Sequence, residues 1–166
     1  MKGILMPKTL TKNELLQAGI NAPDFEAFDQ NGHKISLNQF KGKTIILFFY
    51  PKDNTPSCTK EACSLKDRYS TFKKNGVVVL GVSKDSQKSH RDFIEKYDLP
   101  FTLISDPDKK VQIKYGVWQE KILYGRKTMS TVRTTFIIGP DGKIEYIFDN
   151  VDCENHAEEV LDKLER

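Results

Sequence analysis

The chain has 166 residues, with 26 Lys and Arg residues against 23 Asp and Glu residues and only three cysteines. This length fits one compact domain, rather than two, with a core large enough to be stable without disulfide or metal cross-links. The net charge of +3 comes from basic residues scattered among acidic ones, which argues against a nucleic-acid-binding face.

The N-terminal residues 1–18 are predicted to form an extension before one folded domain, residues 19–166. The apolar run at the start ends at Pro7, so it lacks the apolar core of a secretory signal. The longest apolar run, residues 45–51, is far shorter than the ~20 residues that a membrane helix needs. Together with the low, odd number of cysteines, these features predict a cytoplasmic protein that does not associate with membranes.

Strands and a helix alternate in the first half of the chain. Residues 25–28 and 34–37 flank a turn-forming segment and predict an N-terminal β-hairpin. Residues 45–50 are six consecutive apolar residues, which is typical of a buried central strand, and residues 77–82 repeat the pattern. Between these strands, apolar residues at three- and four-residue spacing predict a helix over residues 59–74. Strand, helix and strand therefore form a parallel crossover.

The second half predicts a helix over about residues 86–97, a strand over 101–104, a short helix up to Gly116, a β-hairpin of residues 134–138 and 143–148, and a closing helix over 154–166. The stretch before Arg133, with Trp118 and Tyr124, is predicted to be irregular and either to wall a pocket or to pack under a loop. This order of elements predicts an α/β protein, a thioredoxin-like three-layer α/β/α sandwich with a mixed central sheet.

The segment between the central strand and its helix is the most informative part of the sequence. Thr55 or Ser57 can cap the helix and Pro56 suits its first position, so Cys58 falls in the first helical turn. There the positive end of the helix dipole and unpaired backbone N–H groups favour thiolate over thiol. The alternative is a small buried core cysteine. The polar and proline residues that precede Cys58 favour the reactive thiol.

Cys63 follows five residues later on the same predicted helix. In an ideal helix the Cα atoms of residues five apart are separated by ~8.7 Å, whereas a disulfide requires about 7 Å or less. A disulfide between Cys58 and Cys63 would therefore require local unwinding of the helix. From spacing alone, an inert core position for Cys63 is equally open.

Other redox or metal chemistry has weaker support in the sequence. A thioredoxin-type dithiol would need Cys-x-x-Cys, and the spacing of the three cysteines does not provide the paired ligands of a zinc site. No cofactor or metal is therefore expected. The histidines are predicted to be solvated surface residues rather than catalytic bases; they are His33, His90 and His156.

The motif Pro51-x-x-x-Thr55-x-x-Cys58 resembles the active-site motif of the peroxiredoxins. The longer run over residues 49–63 is similar to the bacterioferritin-comigratory, or peroxiredoxin Q, subfamily, and the resemblance extends over about residues 19–166. It implies a thiol-dependent peroxidase that reduces hydrogen peroxide and organic hydroperoxides in antioxidant defence.

The resemblance also implies a role for each site residue. The Cys58 thiolate would attack the peroxide and become a sulfenic acid. Thr55 would hydrogen-bond the thiolate and the peroxide, Pro51 would shield the pocket, and Arg133 would stabilise the thiolate and polarise the peroxide. Cys63 would resolve the sulfenic acid as an intramolecular disulfide, which thioredoxin or a similar dithiol donor would reduce. Such resolution removes the chemical need for a dimer, so a monomer is expected.

The sequence leaves several alternatives open. Ser57 replaces the glycine that is usual in this subfamily, and Cys153 stands where a proline is commoner. Cys153 is either a bystander or an alternative resolving thiol, and the alternative for Arg133 is a surface position on an edge strand. Two other functions compete with the peroxidase. One is a general thiol–disulfide oxidoreductase, which the missing Cys-x-x-Cys disfavours, and the other is a peroxide sensor that signals to a partner without efficient turnover.

Overall fold

A mixed sheet forms the middle layer of the structure, a computed structural model that describes residues 16–164. The predicted N-terminal extension, residues 1–18, lies almost entirely outside the described residues. The strands are β1 (Glu26–Asp29), β2 (Lys34–Ser36), β3 (Ile45–Phe49), β4 (Val78–Ser83), β5 (Thr102–Ser105), β6 (Trp118–Leu123), β7 (Arg126–Thr131), β8 (Thr134–Ile138) and β9 (Ile144–Phe148). The α-helices are α1 (Pro56–Asp67), α2 (Tyr69–Lys74), α3 (Gln87–Tyr97), α4 (Lys110–Lys114) and α5 (His156–Leu164), with 3-10 turns at Leu37–Phe40 and Cys153–Asn155.

Seven strands form the main sheet in the order β2-β1-β5-β4-β3-β8-β9. β3, β4 and β5 are parallel, and the remaining neighbours are antiparallel. The parallel pairing of β3 with β4 confirms the predicted crossover, because α1 and α2 connect these two strands. Both predicted hairpins are also confirmed, as β1–β2 and β8–β9.

The fully buried side chains of β3 alternate between the two faces of the sheet, as the strand period of two requires. Ile46 and Phe48 pack into a core that includes apolar residues of α1, α2, α3 and α5. Ile45, Leu47 and Phe49 pack into a second core with α4 and the N-terminal segment. The sheet therefore has a packed layer on each face, which confirms the three-layer architecture. None of the described helices is long and apolar enough to cross a membrane.

The predicted helix over residues 59–74 is wrong in one respect, because it is two helices rather than one. The helix is interrupted at Arg68, which lies between α1 and α2 and has backbone angles of φ −112° and ψ 11°. Leu65 before the break and Phe72 after it are both completely buried. Because both helices bury an apolar side chain on the same core, the apolar spacing continues through the break and does not reveal it.

The stretch predicted to be irregular is a separate antiparallel ribbon of β6 and β7. Its tip combines Tyr124 and Gly125, both with positive φ, as a tight hairpin turn requires. Tyr124 is 93% exposed, so its predicted place at a pocket wall or under a loop is wrong. Most side chains of the ribbon face solvent, so it lacks the apolar–polar alternation that predicts a half-buried strand.

Candidate active site

The loop after β3 leads into α1 and places Cys58 in the first helical turn, as the sequence predicts. Thr55 occupies the N-cap position with an extended backbone, and Pro56 is the first helical residue. The backbone N–H groups of a first turn have no acceptor within the helix, and they stabilise negative charge near them. Cys58 is only 2% exposed. Its sulfur is therefore shielded from bulk water at a position that favours an anion.

Arg133 reaches Cys58 from the short segment between β7 and β8. Its Nη2 donates to Cys58 Sγ at 3.2 Å, and its Nη1 donates to Glu61 Oε1 at 2.6 Å. Burial alone would lower the pKa of this guanidinium, but the charge of Glu61 and the hydrogen bond to Cys58 raise that pKa above its usual range. The side chain is 18% exposed, so the alternative of a surface arginine is wrong. A permanent positive charge therefore contacts the sulfur.

Glu61 is a part of this site that the sequence analysis missed. It lies three residues after Cys58, so both side chains project from the same side of α1. Its carboxyl group is completely buried, and burial raises its pKa, although the charges of His156 and Arg133 act in the opposite direction. Glu61 Oε2 has no hydrogen-bond partner within the described part of the chain. Glu61 therefore holds Arg133 through one carboxylate oxygen only.

His156, the first residue of α5, lies on the other side of Glu61. Its Nε2 is 3.6 Å from Glu61 Oε2 and 2.8 Å from Thr135 Oγ1, and its Nδ1 is 2.9 Å from Glu159 Oε1. His156 is completely buried, so its predicted surface position is wrong. A buried network therefore runs from α5 through Glu61 and Arg133 to the sulfur.

The other two histidines differ in the same respect. His90, on α3, is completely buried, so its predicted surface position is also wrong. His33 is exposed in the turn between β1 and β2, as predicted. His90 faces Asp53 and His156 faces Glu61, and both carboxylates lie far away in sequence, so local sequence patterns carry no signal of these contacts.

Thr55 and Pro51, the other predicted site residues, lie in the loop that precedes Cys58. The Thr55 hydroxyl donates to the carbonyl oxygen of Lys52 at 3.0 Å and does not cap the helix through its side chain. Pro51 is half-buried, and its carbonyl oxygen accepts a hydrogen bond from Lys84 Nζ at 3.0 Å. The structure thus places both residues beside the first turn of α1, and their roles toward a peroxide stay predictions.

Cys63 is half-buried on α1, and all three cysteines are free thiols. Cys58 and Ala62 belong to the core under α1, whereas Cys63 lies outside that core. Burial raises the pKa of the Cys63 thiol. The helix is continuous from Cys58 to Cys63, so the ideal-helix separation applies and disulfide formation between them requires unwinding.

Cys153 lies in the 3-10 turn before α5, which packs against α1. The same turn is joined to α1 by a salt bridge of 3.1 Å between Lys60 and Glu154. Burial raises the pKa of the Cys153 thiol, the charge of Arg133 lowers it, and the charges of Glu61 and Cys58 raise it further. Cys153 therefore lies within the electric field of the site, and both predictions for it, bystander and alternative resolving thiol, stay open.

One group among the described residues has the composition of a metal site. Potential ligand atoms of Asp53, Asp85 and His90 lie within 4.8 Å of one another. Asp53 and His90 hydrogen-bond to each other, and Asp85 accepts from the backbone N–H of Asp53. The two carboxylates also accept hydrogen bonds from the hydroxyls of Tyr50, Ser83 and Ser89. The group is therefore satisfied as a hydrogen-bonded cluster, and it is separate from the cluster formed by Cys58, Arg133 and Glu61.

Proteins with similar sequences and structures are known. The AhpC/TSA family matches residues 18–147. Peroxiredoxin Bcp of Escherichia coli (strain K12) is 44% identical over 149 residues, which cover 90% of this chain and 96% of that protein. The bacterioferritin comigratory protein of Xanthomonas campestris, known for alkyl peroxide reduction activity, has a similar structure, with a TM-score of 0.85 and 33% identity over 90% of this chain and 98% of that chain. A PrxQ mutant of Xylella fastidiosa matches with a TM-score of 0.85 and 32% identity, covering 90% and 96% of the two chains.

Proposed function

Because this chain belongs to the AhpC/TSA family and is a peroxiredoxin, a thiol peroxidase, we propose that Cys58 is the residue that reacts with the hydroperoxide. The observation that supports this most directly is the 3.2 Å contact between Arg133 Nη2 and Cys58 Sγ. Cys63 and Cys153 have no described arginine hydrogen-bonded to their sulfur. Cys58 is thus the thiol whose surroundings best stabilise a thiolate.

In the proposed first step the Cys58 thiolate attacks the terminal oxygen of the hydroperoxide. The S–O bond forms as the O–O bond breaks, so the sulfur loses two electrons and becomes a sulfenic acid. The departing oxygen takes up a proton and leaves as water or an alcohol. Negative charge moves from the sulfur to the departing oxygen during this step, so a fixed positive charge that reaches both atoms lowers the barrier.

Arg133 is positioned to supply that charge. Glu61 holds one end of its guanidinium at 2.6 Å, which leaves the other end directed at the sulfur. A planar guanidinium can hydrogen-bond to two partners at once, which an ammonium group does less well. We assign Thr55 to hydrogen-bonding of the peroxide and Pro51 to shielding of the sulfur, on the basis of their places in the loop before α1.

In the proposed second step Cys63 loses its proton, and its thiolate attacks the Cys58 sulfenic sulfur. An S–S bond forms, the sulfenic oxygen leaves as water, and the product is an intramolecular disulfide. A dithiol donor such as thioredoxin then supplies two electrons and two protons, and both cysteines return to thiols. The half-exposed position of Cys63, outside the core, supports this role because the residue can move without emptying a packed core site.

The substrate is a hydroperoxide, as for other peroxiredoxins, and we extend it to both hydrogen peroxide and alkyl hydroperoxides. The Xanthomonas campestris relative is described by its alkyl peroxide reduction activity, and its fold matches with a TM-score of 0.85. Comparing the second-order rate constants for hydrogen peroxide and for an alkyl hydroperoxide measures the preference of this chain.

The proposal is tested by coupling hydroperoxide consumption to NADPH oxidation through thioredoxin and thioredoxin reductase. We expect the wild-type protein and Cys153→Ser to turn over, Cys58→Ser to be inactive, and Cys63→Ser to consume one equivalent of peroxide and then stop. Activity retained in Cys58→Ser would show the assignment of Cys58 to be wrong. Wild-type protein that is oxidised once and is not reduced by any dithiol donor would instead support the peroxide-sensing alternative.

A further inference from the structure

A buried carboxylate–imidazole pair lies beneath the loop that connects β3 to Cys58. Asp53, five residues before Cys58, places Oδ2 at 2.7 Å from Nδ1 of His90 on α3. The side chains are 3% and 0% exposed, respectively. Neither residue takes part in the peroxide chemistry proposed above. The pair connects the loop before the reactive thiol to a helix 37 residues further along the chain.

Asp53 is surrounded by hydrogen-bond donors. The Tyr50 hydroxyl donates to its Oδ1 at 2.6 Å, and the Ser89 hydroxyl donates to its Oδ2 at 2.8 Å. Its backbone N–H donates to Asp85 Oδ2 at 2.8 Å. The Tyr50 and Ser89 hydroxyls therefore occupy one lone-pair site on each oxygen of the Asp53 carboxyl group, and Oδ2 also faces His90.

Both ring nitrogens of His90 face acceptors. Nδ1 faces the Asp53 carboxylate, and Nε2 lies 3.0 Å from the carbonyl oxygen of Ile104. The Tyr50 hydroxyl, 3.5 Å from Nδ1, already donates to Asp53. A neutral imidazole has one donor and one acceptor nitrogen, so only the imidazolium form satisfies both contacts. Asp53 and His90 thus form a buried ion pair.

Two further bonds hold the same loop. The carbonyl oxygen of Pro51 accepts from Lys84 Nζ at 3.0 Å, and Asn54 Oδ1 accepts from the Tyr97 hydroxyl at 3.1 Å. Lys84 follows β4 and Tyr97 ends α3, so the loop is tied to the same neighbouring unit as Asp53. The loop is therefore fixed up to Asn54, immediately before the helix turn that must unwind.

We propose that the Asp53–His90 ion pair is a positioning device that keeps the loop in place while the first turn of α1 unwinds and reforms. The inference rests on the proposed role of Cys58 and goes beyond it. A buried ion pair adds little net stability compared with apolar residues of the same volume, so its value lies in the geometry that it imposes. With the loop fixed, each reformed turn returns the Cys58 sulfur to Arg133.

The pair is tested with Asp53→Asn and His90→Gln, and with His33→Gln as a matched control. His33 also faces an aspartate, Asp29 at 3.6 Å, but it is exposed. In rapid mixing with hydrogen peroxide, we expect Asp53→Asn and His90→Gln to oxidise Cys58 about 10- to 100-fold more slowly, since a displacement of ~1 Å can cost this much. The His33→Gln variant should react at the wild-type rate. Wild-type rates in folded Asp53→Asn and His90→Gln would overturn the proposal.

Two measurements on the wild-type protein decide the question if these variants do not fold. Nitrogen-detected NMR should show protons on both ring nitrogens of His90. In the Cys58–Cys63 disulfide form, the Asp53 amide should keep its hydrogen-exchange protection while the amides from Thr59 to Cys63 lose theirs. A His90 ring with one unprotonated nitrogen would refute the proposed positioning role. An Asp53 amide that loses its exchange protection together with the helix turn would refute it as well. Peroxidase activity in Cys58→Ser refutes the proposed function instead.

Discussion

Arg133 and Glu61 form a hydrogen-bonded ion pair of 2.6 Å in which the carboxylate is completely buried and the guanidinium keeps 18% of its side-chain surface exposed. The same guanidinium contacts the Cys58 sulfur. One buried anion thus sets the direction of the cation that faces the Cys58 sulfur. Each partner of this ion pair can therefore be tested by substitution.

Replacing Arg133 with lysine should keep the positive charge but lose the two-pronged geometry. A single ammonium group cannot hold Glu61 and face both the sulfur and the peroxide in the same way. We expect kcat/KM for hydrogen peroxide to fall about 100- to 1,000-fold, the usual effect of removing one preorganised donor. Steady-state peroxidase assays measure this, with Arg126→Lys on the exposed ribbon as the control. Near wild-type kcat/KM in Arg133→Lys would show that charge alone suffices.

Replacing Glu61 with glutamine should destabilise the fold. The change leaves the buried Arg133 charge without its counter-charge, which costs about 2 kcal/mol once partial exposure of the guanidinium is taken into account. Glu158→Gln is the matched control, because Glu158 forms a 2.8 Å salt bridge with Arg68 in which both side chains are about half exposed. That variant should lose about 0–1 kcal/mol. Equal losses of unfolding free energy in urea for the two variants would contradict the buried pair's importance.

Oxidation should unwind the start of α1. A Cys58–Cys63 disulfide cannot form across an intact helix, so amide hydrogen exchange from Thr59, whose N–H bonds to the carbonyl of Thr55, to Cys63 should accelerate in the oxidised protein. Mass spectrometry of peptides from this segment detects the change. Oxidised Cys63→Ser, which cannot form the disulfide, should keep the protection of the reduced protein. Full protection in a protein that carries the disulfide would rule out the unwinding.

The resolving step should accelerate with pH. Burial raises the pKa of the Cys63 thiol, so its proton stabilises the fold fully below the ordinary cysteine pKa of about 8.5, and this contribution is lost as pH rises through the raised value. Higher pH therefore favours both the unwound helix and the attacking thiolate. We expect disulfide formation from the sulfenic acid to accelerate by about tenfold per pH unit below the raised pKa of Cys63. Rapid mixing with acid quench and mass spectrometry measures the rate, and a pH-independent rate would contradict Cys63 as the attacking group.

Local patterns in the sequence predict the elements that bury a regular face. The apolar run of β3 and the residues that start α1 suffice to place Cys58 in a first helical turn beside a central strand. These features depend on neighbours within a few residues, so one sequence is enough to recognise them. The resemblance to peroxiredoxins then indicates the pairing of Cys58 with Arg133, 75 residues away.

The contacts that the sequence does not reveal depend on distant partners. His90 sits between Ser89 and Arg91 and looks like a surface residue, but it lies three residues before the buried Phe93 and meets Asp53 from another loop. Glu61 looks like an exposed helix residue until Arg133 and His156 are placed against it. In each case a charge is buried because its counter-charge arrives from elsewhere in the fold, which is a property of the tertiary structure alone.

The Thr55 hydroxyl, which donates to the carbonyl of Lys52, bears on how often α1 opens. A threonine at the N-cap normally accepts a bond from a first-turn N–H and stabilises the helix by about 1 kcal/mol. Without this bond, the opened turn is about fivefold more populated at equilibrium. The native ensemble is thereby shifted toward the conformer that disulfide formation requires, before any peroxide has reacted.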